Sequence, residues 1–372
     1  MSGLKGFALA IKWESVAREV GVVARIEWSR IEHLGSAVSL PLVLLRGHTA
    51  DDIEKALPRI CALFSCADGQ VERSRMRMDK VRLWLYFSNL DDFIPYQNPS
   101  PTRLVPPAVS SPLPLGVGLD GVTHSLRLFD DVVGGSSLLV GGVPGSGKTN
   151  ALRVVMAGLS LTPATILLID PTGGAEAHLW QSRVSASVLT GDANETGVLL
   201  EEVVRLITRR GHLLGKGVER RDLLPVCLVC DELAELGSAS SPKEQENLRA
   251  LLRRVVSLGR KANVACVFAT QRTTAASIDV TTRSLVAQKL ALPHPGDTYG
   301  SEALLGPGRH EAAKLTVRDR GLGYFSDGGE PKLIRVYGMT DAEVGRYAQR
   351  LAGPSLDSLG AWDASLARSV GS

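Results

Sequence analysis

The most regular feature of the chain is a series of short apolar runs separated by stretches whose apolar residues recur at helical spacing. Between residues 119 and 345 the runs have the length of buried strands, and helical segments separate most of them. Such alternation predicts an α/β fold with a mainly parallel sheet wrapped by helices. The predicted strands are SSLLVGG (136–142), ATILLID (164–170), LPVCLVCDE (224–232), VACVFATQ (264–271) and LVAQKLAL (285–292).

A different pattern precedes this region and predicts a separate small α/β domain in residues 1–95. The segment 48–64 carries apolar residues at helical spacing, and Thr49 and Asp52 stand where a capping box would begin a helix. The segment 79–87 alternates between apolar and polar residues, which is typical of a strand.

Composition completes the predicted domain organisation. Residues 96–118 are rich in Pro and Ser and have no period, so we expect a linker there. The strands that follow predict one larger domain over residues 119–350. Residues 351–372 are rich in small and polar residues and are expected to form a short C-terminal tail, either as a short helix or as a disordered segment.

Bulk composition is that of a globular protein of 372 residues, with 44% hydrophobic and 22% charged residues. No apolar run reaches the ~18 residues of a membrane span, and the N-terminus is a poor secretory signal, so we expect a cytoplasmic protein. Five cysteines imply no disulfide framework, and Cys227 and Cys230 are expected to be buried strand residues. The net charge of +3 means that any basic binding surface must be local.

Candidate chemistry begins with GVPGSGKT, which matches GxxxxGK[ST] between a predicted strand and a predicted helix. Glycines let successive backbone N–H groups surround phosphates, and the helix presents its positive end to them. Lys148 can reach the β and γ phosphates, and Thr149 can hold Mg²⁺. The predicted nucleotide-binding residues are Gly142, Val143, Pro144, Gly145, Ser146, Gly147, Lys148 and Thr149.

A pair of carboxylates ends the strand LPVCLVCDE. Asp231 would support the Mg²⁺ shell, and Glu232 could orient and deprotonate an attacking water. The pair therefore favours ATP hydrolysis over phosphoryl transfer to a metabolite. The alternative is two carboxylates that merely end a strand.

The strand 264–270 also ends on a polar side chain, Gln271. Ligands bind at the carboxyl ends of parallel strands, and an amide there can donate to a γ phosphate or to the lytic water. Gln271 is therefore a candidate phosphate sensor, with an ordinary surface glutamine as the alternative.

Two basic segments have open interpretations. Arg260 closes an arginine-bearing helical run, which is either a solvated face or the source of an arginine that reaches a neighbouring subunit's nucleotide. Lys216, Arg220 and Arg221 lie in a Gly-containing loop that suits contact with a phosphate backbone, or is simply a solvated turn.

The order of the motifs resembles the FtsK/SpoIIIE family of double-stranded DNA translocases, in particular the compact conjugal-transfer members of actinobacterial plasmids and integrative elements. The resemblance covers roughly residues 115–345. The segments that carry it are GVPGSGKT, IDP, TRRGHLLGKGVERRDL, VCDE, ATQR, SEALLG and GLGYF.

The resemblance implies a RecA-like P-loop NTPase that closes into a hexameric ring around duplex DNA and moves it with ATP and Mg²⁺. By position it implies that Glu232, Gln271 and Arg260 are catalytic, with Arg254 as the alternative to Arg260. The metal-binding and DNA-facing residues that it implies are Thr149 and Asp231 for Mg²⁺, and Lys216, Arg220 and Arg221 for DNA.

The chain departs from this family in places. Asp170, Pro171 and Thr172 stand where the family has Asp-Pro-Lys. Neither a membrane-spanning N-terminus nor a winged-helix module is evident, so we expect a partner to supply DNA loading and membrane attachment. The expected function is double-stranded DNA translocation in conjugal transfer or DNA segregation. A protein-export ATPase and a non-motor ATP switch that recruits partners are the alternatives.

Overall fold

The chain forms two compact units, Met1–Asp92 with Val117–His124, and Phe93–Gly116 with Ser125–Ser372. The predicted linker lies mostly outside the described residues. The computed structural model describes residues 2–34, 37–74, 76–87, 90, 94–96, 110–236, 240–273, 280–350 and 352–370.

The smaller unit is built on an antiparallel sheet in which the third strand pairs with three others. Its elements are α1 Ser2–Val20, β1 Ala24–Ile26, β2 Glu32–Leu34, β3 Ala37–Leu44, α2 Ala50–Phe64, β4 Asp68–Arg73 and β5 Lys80–Tyr86. Trp13 of α1 and Ile53 of α2 share one core with Leu40 of β3. The predicted capping box is present, since the Thr49 N–H donates to the Asp52 carboxylate at 2.7 Å.

The larger unit contains the predicted α/β architecture. Its sheet runs in the order β12-β11-β13-β14-β10-β15-β16-β17-β6-β7. The remaining elements of the chain are β6 Leu113–Gly118, β7 Thr123–Leu126, β8 Phe129–Asp130, β9 Gly134–Gly135, β10 Leu138–Gly141, α3 Lys148–Ser160, β11 Thr165–Ile169, α4 Ala175–Leu179, β12 Ala186–Val188, α5 Ala193–Gly215, β13 Val226–Cys230, α6 Pro242–Gly259, β14 Val264–Thr270, α7 Val280–Leu285, β15 Gln288–Ala291, α8 Thr298–Leu305, α9 Glu311–Lys314, β16 Leu322–Ser326, β17 Lys332–Val336, α10 Asp341–Ala348 and α11 Leu356–Val370.

The strands from β12 to β15 pair in parallel, and β15, β16 and β17 pair antiparallel. The predicted fold class is confirmed. The parallel strands are mostly apolar, as expected where helices cover both faces of a sheet. On β13, Val226, Leu228 and Cys230 pack in the core with α5 and α6, while the intervening Cys227 and Val229 are buried on the other face.

The parallel register places the loops that carry the motifs at one edge of the sheet. Gly141 at the end of β10 is paired with Thr270 at the end of β14. Cys230 at the end of β13 is paired with Phe268 on the other side of β14. The segments that follow these three strands therefore emerge side by side.

The structure bears on two expectations from the sequence, one about Cys227 and Cys230 and one about membrane-spanning segments. Cys227 and Cys230 are buried strand residues, and desolvation raises the pKa of both thiols well above its usual value, so neither is a reactive thiol. In the part of the chain that the structure describes, no helix has the length and apolarity needed to cross a membrane.

Helix α11 lies in the region predicted to be a short tail, and it packs against α5. Asp363 of α11 and Arg210 of α5 are fully buried, with the arginine Nε 3.1 Å from a carboxylate oxygen. Arg210 also donates to the Ala262 carbonyl at 2.9 Å. Burial lowers the pKa of Arg210 despite its carboxylate partner. The helix is thus bound to the larger unit through a desolvated ion pair.

Asp363→Ala is expected to destabilise the larger unit by about 3–5 kcal/mol, because it leaves the Arg210 charge buried without its partner. Urea unfolding measured by circular dichroism tests this. Asp357→Ala, an exposed carboxylate in the first turn of the same helix, is the matched control and should cost less than about 1 kcal/mol. Equal unfolding midpoints for the two variants would contradict a stabilising role for the buried pair.

Candidate active site

The loop of residues 142–147 joins β10 to α3 and turns tightly. Gly147 has a φ of +109°, a left-handed conformation that favours glycine. A Cβ on Gly142 would lie 2.5 Å from the Ser146 hydroxyl oxygen. Residues 144–145 form the exposed tip of the loop. The glycines are therefore required by the close return of the backbone.

The loop has the features of a polyphosphate cradle. The Ser146 hydroxyl is buried and has no hydrogen-bond partner among the described residues. Lys148 is 7% exposed, and its ammonium donates to the carbonyls of Gly142 at 2.6 Å and Val143 at 3.1 Å. Burial lowers the pKa of Lys148, and Thr149 is exposed beside it. Phosphate oxygens would supply acceptors for the hydroxyl, the ammonium and the amino end of α3.

Glu232 follows β13 in an unusual backbone conformation, with φ 53° and ψ 66°. A non-glycine residue there costs about 1–2 kcal/mol, a strain that is found most often at functional sites. The carboxylate is buried, and the Gln271 N–H donates to both of its oxygens at 3.0 and 3.2 Å. The Thr270 hydroxyl lies 3.2 Å from one of them. The end of β14 therefore holds the candidate base in place.

Asp231 lies beside Glu232 in a strongly negative environment. Burial, followed by the charges of Asp170 and Glu232, raises the pKa of Asp231 to about 6. Asp231 and Thr149 are the residues that could hold Mg²⁺, which usually takes only one or two protein ligands and completes its shell with water and phosphate oxygens.

Asp170 has a local structural role. One of its carboxylate oxygens accepts from the Thr172 hydroxyl at 2.7 Å, and the other accepts from the Gly174 N–H at 3.0 Å. Thr172, which stands where the resembled family has lysine, therefore closes the turn after β11. No polar side chain is directed to the phosphate loop from this position.

Gln271 lies where its position after β14 predicts. Its side chain is exposed at the carboxyl edge of the sheet, while its backbone N–H anchors Glu232. Sequence reasoning missed Thr270, whose hydroxyl approaches Glu232 and also accepts from the Arg272 N–H at 3.1 Å. The signal was present, because Thr270 is the polar residue that ends an otherwise apolar strand.

Arg260 is not part of this cluster. It precedes β14, whereas Gln271 follows it, and the seven residues of the strand separate the two by roughly 20 Å. Arg260 is exposed, as is Arg254 on α6. An arginine at the amino edge of the sheet cannot reach the phosphate loop of its own chain.

The three predicted DNA-facing residues differ in their surroundings. Lys216 is exposed at the end of α5. Arg221 is exposed and pairs with Glu219 at 2.6 Å. Arg220 instead donates to backbone carbonyls, among them that of Lys261 at 3.2 Å. Lys216 and Arg221 are the more exposed of the three, whereas Arg220 is partly buried.

A groove with a volume of about 860 Å³ lies between α5 and α6. Its walls are mainly basic and its floor is apolar. The basic residues that line it are Arg205, Arg209, His212, Lys216 and Arg254, and the apolar ones are Val204, Leu213 and Leu251.

Comparison with known proteins gives one relative in sequence and several in structure. No protein-family model matches the chain. A sporulation regulatory protein of Streptomyces azureus is 33% identical over 124 residues, which are 32% of this chain and 41% of that protein. The match thus spans less than half of the relative's length.

Two solved structures illustrate the structural likeness. The pCW3 conjugation coupling protein TcpA, in its monomer form with ATPγS, has a TM-score of 0.59 at 16% identity, covering 92% of this chain and 96% of that one. The cytoplasmic domain of the Thermomonospora curvata type VII secretion ATPase EccC has a TM-score of 0.55 at 21% identity, covering 72% of this chain and 34% of that one.

At these identities the structural likeness establishes the fold alone. The motifs supply the rest, because the phosphate loop, the acidic pair and the glutamine meet at one edge of that fold. The chain has the fold of these P-loop ATPases, and its motifs resemble those of the FtsK/SpoIIIE-like conjugal transfer proteins of actinobacteria.

Proposed function

We propose that the chain is an ATP-hydrolysing motor that moves double-stranded DNA, in conjugal transfer of a plasmid or integrative element or in DNA segregation. The observation that carries the proposal is the Glu232 carboxylate, buried and anchored by β14 at the same sheet edge as the phosphate loop. The motif order supports DNA as the substrate that is moved.

In this proposal residues 142–149 bind the phosphates of ATP, and Lys148 exchanges its loop carbonyls for phosphate oxygens. Mg²⁺, held by Thr149 and Asp231, would neutralise charge that develops on the phosphates. Glu232 orients a water and accepts its proton, and the Gln271 amide lies at the edge where the γ phosphate is bound.

In this proposal Arg260 acts on the ATP site of a second copy of the chain. Because Arg260 lies at the opposite sheet edge from its own phosphate loop, it can complete only a neighbour's site. A ring of identical subunits, hexameric by resemblance, meets this requirement. Loading onto DNA and attachment at a membrane would come from a partner protein.

Duplex DNA is expected to stimulate ATP hydrolysis at low salt, with Lys216 and Arg221 contacting phosphates rather than base edges. The measurement is the hydrolysis rate against the concentration of linear duplexes of unrelated sequence. The double variant Lys216→Ala/Arg221→Ala should bind DNA more weakly and lower the slope of log K against log salt by about two. If duplex DNA leaves the rate unchanged at low salt, the DNA part of the proposal is wrong.

A protein-export ATPase is the second candidate, and the basic groove between α5 and α6 favours it, because its apolar floor would suit an acidic amphipathic peptide. Stimulation by such a peptide and not by DNA would select this function.

Slow hydrolysis that neither ligand changes, together with ATP-dependent binding of a partner, would indicate a non-motor switch.

A further inference from the structure

Arg220 belongs to the loop predicted to face DNA, but its side chain turns onto the protein backbone. Its Nε donates to the Lys261 carbonyl at 3.2 Å, and one Nη donates to the Val132 carbonyl. The adjacent Arg221 is exposed and pairs only with Glu219 among the described residues. The two neighbouring arginines of this loop therefore differ in their contacts, since Arg220 binds backbone carbonyls and Arg221 pairs with a carboxylate.

The second acceptor lies in a well-ordered turn between β8 and β9. The Asp130 carboxylate accepts the N–H groups of Val133 at 2.7 Å and Val132 at 2.9 Å. These backbone hydrogen bonds lower the pKa of Asp130. The turn presents the carbonyls of Val132 and Val133 as fixed acceptors.

The same turn touches Arg260. The Arg260 Nε donates to the Val133 carbonyl at 3.4 Å. Gly134 has a φ of +92°, and a Cβ there would overlap the Arg260 carbonyl oxygen and lie 3.0 Å from the Arg220 Cδ. Three segments that are remote in sequence, the turn, Arg220 and the 3₁₀ turn Arg260–Ala262, are therefore in direct contact.

We propose that Arg220 is a positioning residue for Arg260, and that it acts by fastening the 3₁₀ turn to the β8–β9 turn. The proposal rests on the proposed function, in which Arg260 completes a neighbour's ATP site. In this proposal Arg220 supports ATP hydrolysis and does not contact DNA. Because Arg220 shares its loop with Lys216 and Arg221, displacement of the loop by DNA is transmitted to Arg260.

The chemistry of the side chain distinguishes a positioning role of Arg220 from a role in binding DNA. A guanidinium donates to two carbonyls at once through a rigid planar fork, whereas an ammonium is a point charge on a flexible stem. Lysine at position 220 would preserve attraction to a phosphate backbone. It would not hold the Lys261 and Val132 carbonyls in the observed geometry.

The test uses full-length Arg220→Lys and Arg220→Ala with saturating ATP and duplex DNA. Both are expected to lower kcat on the order of 10²-fold, the cost of misplacing a reacting group by about 1 Å. The KM for ATP should stay near that of the wild type, and Arg220→Lys should keep wild-type DNA affinity. Arg346→Ala, an exposed arginine of α10, is the control and should retain wild-type kcat.

Mixing subunits gives a readout that misfolding would not reproduce. Arg220→Ala subunits have an intact Glu232, and Glu232→Gln subunits have an intact Arg260. Oligomers containing both are expected to hydrolyse ATP faster than either variant alone. Gly134→Ala, which pushes the turn away from Arg260, should behave like Arg220→Ala in the same mixture.

Full kcat in Arg220→Lys, or no gain on mixing, overturns the inference. The assignment of Arg260 to a neighbour's ATP site fails in a different way, because Arg260→Ala would then hydrolyse ATP at the wild-type rate. An impaired Arg260→Ala beside an unimpaired Arg220→Lys rejects the positioning role and leaves the proposed function standing.

Discussion

Glu232→Gln is expected to lower kcat for ATP hydrolysis by about 10²–10⁴-fold, the usual contribution of a general base. The glutamine side chain has the same shape, and its oxygen can still accept from the Gln271 N–H, so the end of β14 should stay in place. ATP affinity should change little, because the hydrogen bonds of Glu232 among the described residues go to Thr270 and Gln271 rather than to the phosphate loop. Steady-state hydrolysis and binding of a fluorescent ATP analogue measure the two quantities separately.

Glu235→Gln is the matched control for this experiment. Glu235 lies one turn further along the same 3₁₀ segment and is partly exposed, so its loss should change kcat less than twofold. Full turnover in Glu232→Gln would remove the catalytic assignment. A loss of ATP affinity equal to the loss of kcat would mean that the residue shapes the binding site instead.

Arg260→Ala is expected to lower kcat by about 10³-fold or more, since an arginine supplied in trans stabilises charge that develops in the transition state. The variant should bind ATP as the wild type does, because the residue lies at the far edge of its own sheet. The decisive measurement is the hydrolysis rate of mixtures with Glu232→Gln subunits. Activity should reappear in the mixture, because some interfaces then pair an intact Arg260 with an intact Glu232.

Arg254→Ala is the control, and it also tests the alternative assignment, in which Arg254 is the trans-acting residue. We expect it to retain most of the wild-type rate. A severe loss in Arg254→Ala with a mild one in Arg260→Ala would exchange the two roles. If neither variant is impaired, hydrolysis needs no arginine from a neighbour, and the ring interpretation is wrong.

Strand β14 gives these two predictions a common structural basis. Arg260 stands before the strand and Gln271 after it, and all seven residues between Val264 and Thr270 are buried. Because a buried strand is tightly packed and hydrogen-bonded, a shift at one end of it also moves the other end. In the proposed ring, one strand would therefore join the site that a subunit uses to the arginine that it supplies.

Much of the fold follows from the sequence because its signals are local. The apolar runs at 226–230 and 264–270 predict buried parallel strands, since helices cover both faces of the sheet. Likewise the capping box of Thr49 and Asp52 needs only residues three apart. The phosphate loop is equally local, because its glycines, Lys148 and the following helix are contiguous.

The orientation and the contacts of individual side chains could be learned only from the tertiary structure. Glu232 is held by Gln271, 39 residues away, and Arg220 by Val132, 88 residues away. No periodicity encodes such contacts, and sequence reasoning grouped Arg220 with Arg221 because both are charged loop residues. Helix α11 likewise depends on distant partners, since Asp363 pairs with Arg210, 153 residues away, and Leu359 packs in the core of the larger unit.

The sequence by itself thus determined which residues could do chemistry and at which edge of a parallel sheet they would stand. Only the tertiary structure decided that Glu232 is buried and anchored, that Arg260 lies at the opposite edge, and that Arg220 donates to backbone carbonyls of other segments. The physical reason is the range of the interactions. Backbone periodicity and glycine turns are satisfied within a few residues, whereas burial and side-chain hydrogen bonds depend on segments that meet only in the folded chain.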